Sequence, residues 1–193
     1  MPRWIRVVMA RPAGASRSAT RRSRVAGLLL ALLAVGVLGA CADSSDAEKR
    51  PEVRDVAPGF SLPMLGSDAA VSLESLVGKT VIIDFWATWC TPCEFQVPEL
   101  NAFHDAHRAD SDVVLFGISI DTVGPEEVAE WTLEKGVRYP ILLADDELAI
   151  QYGAQGFPTV VVIRGDGTID SRHAGLIQQD ELEEILSALR EEG

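Results

Sequence analysis

The sequence predicts an α/β fold, a mixed central sheet flanked by helices on both faces. Val81–Trp86 and Val113–Ser119 are apolar on both parities, as central strands covered on both sides must be, and a helix-length segment separates them. Toward the end of the chain, Thr159–Ile163 and Thr168–His173 flank Gly165-Asp166-Gly167, a hairpin signal, and an amphipathic stretch follows. Strand, helix, strand and helix, then hairpin and helix, fold most simply as a mixed sheet between two helix layers.

The first segment is an address. Residues 1–40 hold seven arginines and no acid, ending in Arg21-Arg22-Ser23-Arg24 ahead of Val25 to Ala40, sixteen apolar residues without a charge. That is a basic region followed by an apolar region somewhat short of the ~20 residues of a membrane span. Leu38-Gly39-Ala40-Cys41 resembles a bacterial lipobox, whose cysteine is lipidated and becomes the new N-terminus. A retained signal anchor is the other reading. Arg21-Arg22 also resembles the core of a twin-arginine signal, although Arg24 stands where a large apolar residue is usual. Either way residues 42–193 are expected outside the cytoplasm, tethered to its membrane. Residues 42–57 are polar, charged and proline-punctuated, a linker of at most roughly 50 Å when extended. The expected organisation is a signal peptide over 1–40, lipidated Cys41 and linker to 57, and a folded domain from 58 to 193.

The body follows in order. Phe60–Leu65 and Ala70–Leu73 alternate around Gly66-Ser67-Asp68, an N-terminal hairpin expected to cover one edge of the sheet, with a short helical turn before Gly78. After the first central strand a helix runs from about Thr91 to His107, with Pro98 removing one backbone donor. Val113–Ser119 is the second buried strand. Pro125 opens a helix with Val128, Trp131, Thr132 and Lys135 on one face, and Gly136 stops it. Tyr139–Leu143 is a short extended piece, and Asp146–Tyr152 a brief helix before Gly153. In the final helix Leu182, Ile185, Leu186 and Leu189 fall at i, i+3, i+4 and i+7.

Composition narrows the function. The net charge is −12, and beyond the arginine-rich start the remainder carries ten Lys/Arg against twenty-nine Asp/Glu, which argues against nucleic acid as a partner. Three cysteines cannot build a four-cysteine zinc site or a disulfide framework. Two of them, Cys90 and Cys93, stand at the junction of strand and helix in Trp89-Cys90-Thr91-Pro92-Cys93. A dithiol there can close to a disulfide and reopen, with the first sulfur near the positive end of the helix. Two core thiols, or half of a metal site, are the bland alternatives. His104 and His107 lie three apart on the long helix and could chelate an ion, but no third ligand is apparent and solvated helix surface is the simpler reading. His173 reads as structural, and the acid runs Asp145-Asp146-Glu147 and Glu181-Glu183-Glu184 as solvated faces.

Asp84-Phe85-Trp86-Ala87-Thr88-Trp89-Cys90-Thr91-Pro92-Cys93, with Pro98 and the later Gly156-Phe157-Pro158-Thr159, resembles the thioredoxin superfamily. The opening Ala57-Pro58-Gly59-Phe60-Ser61-Leu62, the segment Ser72–Lys79 and an insertion before Phe157 are more similar to its TlpA/ResA branch of membrane-tethered thiol-disulfide oxidoreductases (redoxin or AhpC/TSA-like), over about Pro58 to Leu189. The resemblance implies a thioredoxin-like fold, Cys90 as exposed nucleophile, Cys93 as buried resolving thiol and a cis bond between Phe157 and Pro158. Trp89, Thr91, Pro92, Phe157 and Pro158 then border the substrate, with Trp86 and Trp89 packed beside the disulfide. It implies protein disulfides as substrates, apocytochrome c among them, a membrane electron donor for re-reduction, no cofactor or metal, and a monomer.

Asp84 departs from the branch, in which a neutral residue is usual at that place and a glutamate three residues after the second cysteine, where this chain has Gln96. Thioredoxin itself has an aspartate at the Asp84 position. A carboxyl inside an apolar strand should have a raised pKa and could take the proton from Cys93 during resolution; a structural polar contact is the alternative. The direction of electron flow stays open, since dithiols of this kind span about −270 to −120 mV, roughly 7 kcal/mol. Two other functions remain: a Cu(I)-binding module using both thiolates, and a peroxiredoxin, although Ala87 and Ile83 stand where that family needs a hydroxyl residue and a proline.

Overall fold

The computed structural model describes residues 55–192; the signal segment, the lipobox with Cys41 and the linker through residue 54 lie outside the described residues. The order of elements is β1 (Ser61–Pro63), β2 (Ala70–Ser72), a 3-10 turn (Leu73–Leu76), β3 (Thr80–Trp86), α1 (Thr91–His107), β4 (Val113–Ser119), α2 (Pro125–Lys135), β5 (Ile141–Leu143), α3 (Asp146–Gln151), β6 (Thr159–Ile163), β7 (Ile169–Ala174) and α4 (Gln179–Glu192). The five-stranded sheet runs β5-β4-β3-β6-β7, with β3 parallel to β4 and antiparallel to β6. β3 is therefore the middle strand, which explains why it is apolar on both parities.

The β1–β2 hairpin forms its own small sheet and is stitched to the β5 edge, where Leu65 N–H donates to the Ile141 carbonyl at 2.9 Å and Met64 bridges Leu142. At the opposite edge the chain is engaged earlier than residue 58. The Ile169 amide donates to the Asp55 carbonyl at 2.8 Å, Val56 bridges Thr168, and Ala57 donates to Gly167 at 2.9 Å. β7 is an edge strand whose unpaired backbone groups recruit these three residues, a long-range demand that linker-like composition does not reveal.

Local chemistry sets the helix limits. Gly136, at φ 68°, takes the left-handed conformation that ends α2. The Asp145 carboxylate caps α3 by accepting the Leu148 amide, so one member of an acid run has a structural task. α1 continues through Pro98. Trp86 and Phe85, on opposite faces of β3, meet different partners: Trp86 stacks on Trp131 of α2 with centroids 4.4 Å apart, and Phe85 tilts against Tyr152 at 5.4 Å.

Candidate active site

Strand direction assembles the site. β3 runs toward Cys90 and antiparallel β6 begins immediately after Phe157-Pro158, with Phe85 opposite Thr159 in the register. Two segments more than sixty residues apart in sequence thus arrive at one end of the sheet.

Cys90 caps α1, and its sulfur accepts the Cys93 amide at 3.3 Å. The two sulfurs are joined in a disulfide, with an S–S distance of 2.01 Å and Cα atoms 5.4 Å apart. Cys90, expected as an exposed thiol, is only 5% exposed in this closed form, while Trp89 is 66% exposed and Thr91 and Pro92 also face solvent. The Phe157–Pro158 peptide is cis. Phe157 lies outside the β6–β7 ladder, which starts at Thr159, and its ring meets the edge of Trp89 at 5.9 Å. Trp86 is buried and stacks on Trp131 of α2.

Asp84 is 1% exposed, and its Oδ1 has no hydrogen-bond partner. Burial pushes its carboxyl well above the usual range. Its register partner on β4 is Gly117, where a Cβ would lie 2.6 Å from Ile141 Cδ1 and 2.9 Å from both Trp86 Nε1 and Tyr139 Cε2. Absence of a side chain at 117 is what lets those rings close over this part of the sheet. The Tyr139 phenol is pushed well up by burial and further by Asp84, which puts the two groups within electrostatic reach. Gln96, in the position where the branch has glutamate, gives both ends of its amide to Ile177.

Asp121 went unnoticed in the sequence. Its carboxylate accepts the Thr88 amide at 3.1 and 2.9 Å, the Thr88 hydroxyl at 2.7 Å and the Ser119 hydroxyl at 2.8 Å, pinning the loop that delivers Trp89 and Cys90. The available signal was its place just past the carboxyl end of a parallel strand, where site residues of open α/β sheets gather. His107, expected on solvated surface, is a bridge: its ring nitrogens lie 2.9 Å from Asp110 and 2.8 Å from Glu183, and the ring packs on Phe103 at 4.5 Å. Among the described residues no group of three or more His, Cys, Asp or Glu is placed to hold a metal ion.

The comparisons agree with this geometry. The chain is 27% identical over 164 residues to thioredoxin-like protein YneN of Bacillus subtilis, covering 84% of this chain and 95% of that protein. Over 165 residues it is 28% identical to thiol-disulfide oxidoreductase ResA of Oceanobacillus iheyensis, covering 83% and 84%. Among solved structures, a thiol:disulfide interchange protein of the thioredoxin family from Chlorobium tepidum superposes with a TM-score of 0.61 at 25% identity, over 70% of this chain and 96% of that one. The AhpC/TSA family model matches residues 53–172, well over half of the sequence. The chain belongs to the AhpC/TSA family, within which its thioredoxin-like fold and closed Cys-x-x-Cys pair make it a thiol-disulfide oxidoreductase.

Proposed function

We propose that the protein reduces disulfides of other proteins outside the cytoplasm, held at the membrane by a lipid on Cys41, with residues 1–40 removed and the segment between Cys41 and Asp55 as tether. In the reduced form the Cys90 thiolate, favoured by the N-terminal end of α1, attacks one sulfur of a substrate disulfide. A Cys90–substrate disulfide forms, and the displaced substrate thiolate takes up a proton. Cys93 then loses its proton to Asp84 and attacks the Cys90 sulfur. The Cys90–Cys93 disulfide closes, the second substrate thiol leaves, and two electrons have passed from enzyme to substrate. Re-reduction needs a dithiol donor, for which a membrane protein is the natural class. Trp89, Thr91, Pro92, Phe157 and Pro158 border the bound chain. The resemblance to the ResA branch points to cysteine-containing extracytoplasmic proteins such as apocytochrome c, and to a monomeric enzyme.

The observation that carries this reading is the Cys90–Cys93 disulfide at a helix start, opposite the cis Phe157–Pro158 peptide and beneath exposed Trp89. Trapping tests it. Cys93→Ser is expected to accumulate mixed disulfides through Cys90 in the native host, and Cys90→Ser to abolish exchange. Capture through Cys93 in the Cys90 variant would reverse the assignment. The identities of the captured proteins name the substrate, and a redox titration gives the direction.

A further inference from the structure

Gln96 is completely buried, yet both ends of its amide go to a single residue: Nε2 donates to the Ile177 carbonyl at 2.8 Å and Oε1 accepts the Ile177 amide at 2.9 Å. A side chain here makes the two-bond exchange that paired residues of antiparallel strands make. Ile177 lies in the loop between β7 and α4. Two residues earlier in that loop, the Gly175 amide donates to the Pro158 carbonyl at 2.9 Å. The loop therefore ties α1, with Cys93 one turn before Gln96, to the segment carrying the cis peptide. We propose that Gln96 is a positioning residue for disulfide exchange, setting through Ile177 and Gly175 the gap between the Cys90–Cys93 helix and Pro158 in which an extended substrate chain is held. The inference rests on the function proposed above.

The chemistry of the amide makes this testable. Leucine at 96 keeps the volume and removes both bonds, leaving the Ile177 amide and carbonyl buried without partners. A protonated glutamate donates and accepts as glutamine does. An ionised glutamate can only accept, and it sets the Ile177 carbonyl against an anion. Burial and the acids beside the loop favour the neutral form: Glu99 of α1, which holds the Gln179 amide, and Glu181 of α4, which holds the Gln178 amide, whereas Asp84, the one titratable side chain of β3, is itself driven toward neutrality by burial. On β7, the His173 ring nitrogen lies 2.9 Å from the Leu176 carbonyl of the same loop.

The experiment uses the full-length protein in detergent, with insulin as a chain substrate and the small disulfide DTNB as a probe that does not span the groove. Gln96→Leu is expected to raise KM for insulin about tenfold, with kcat and the DTNB rate within about twofold of the parent. For Gln96→Glu, insulin KM should match the parent near about pH 5.5 and approach that of Gln96→Leu near about pH 8.5. A Gln96→Glu to parent KM ratio that is flat across this range overturns the proposal, as does an equal loss on insulin and DTNB. Should Gln96→Leu fail to fold, the glutamate variant at the two pH values still decides it. A parent enzyme inert toward both substrates would instead defeat the functional reading itself.

Discussion

Asp84 sets a carboxyl in the driest part of the sheet, with one oxygen unpaired. Its folded pKa is raised by burial, so as pH climbs past about 3.9 the unfolded chain loses this proton first and the folded state is progressively disfavoured up to the folded pKa. Asp84→Asn should therefore be more stable than the parent at pH 7, on the order of 1–3 kcal/mol, with the gain shrinking toward pH 4. Urea midpoints at the two pH values check this. The same variant should slow release of the mixed disulfide; unchanged exchange rates between about pH 6 and 9 would leave Asp84 with a structural role only. Asp84 was legible because one acid in an apolar run is conspicuous. Gln96 was not, because its partner lies 81 residues away and nothing local marks the pair.

At the scale of elements, α1 and α4 are joined through His107. Burial pushes this imidazole down, but hydrogen bonds to Asp110 and Glu183 win and lift it above its ordinary value. A raised histidine stabilises fully below its unfolded pKa of about 6.5 and loses that contribution as pH rises through the folded value. Both carboxylates are about a third exposed, so the effect should be no more than about 1 kcal/mol. We expect the parent to lose this much between about pH 6 and pH 8.5 in chemical denaturation, and His107→Gln to lose none of it. The limits of α1 were readable from Cys90, Pro92 and the apolar spacing, but which surface residues would be bonded across to α4 was not. Asp121 teaches the same lesson. Its grip on Thr88 joins the ends of two parallel strands, a contact that exists only once β3 and β4 are side by side.

Across the whole domain the redox site and the point of chain entry lie at opposite ends of the sheet. Cys90 follows the carboxyl end of β3, whereas Val56 and Ala57 join Thr168 and Gly167 beside the start of β7, where Ile169 pairs with Ile163 at the far end of β6. If Cys41 carries the lipid, Cys41→Ser should move the protein from the membrane to the soluble fraction while the domain's exchange rate stays within about twofold, since Cys41 precedes the folded domain in the chain. Unchanged fractionation would favour the retained signal anchor.

By itself the sequence determined the order and kind of the elements, the mixed sheet, the Cys-x-x-Cys pair at a strand-to-helix junction and the anomaly of Asp84. These are properties of short windows, where hydrophobic period and turn chemistry act between near neighbours. Only the tertiary structure decided that Gln96 clasps Ile177, that Asp121 holds Thr88, that Trp86 stacks on Trp131, and that the chain is captured from Asp55 onward. The reason is physical. In each of these cases the partner lies far along the chain, and compaction of the fold, not spacing, brings it within reach.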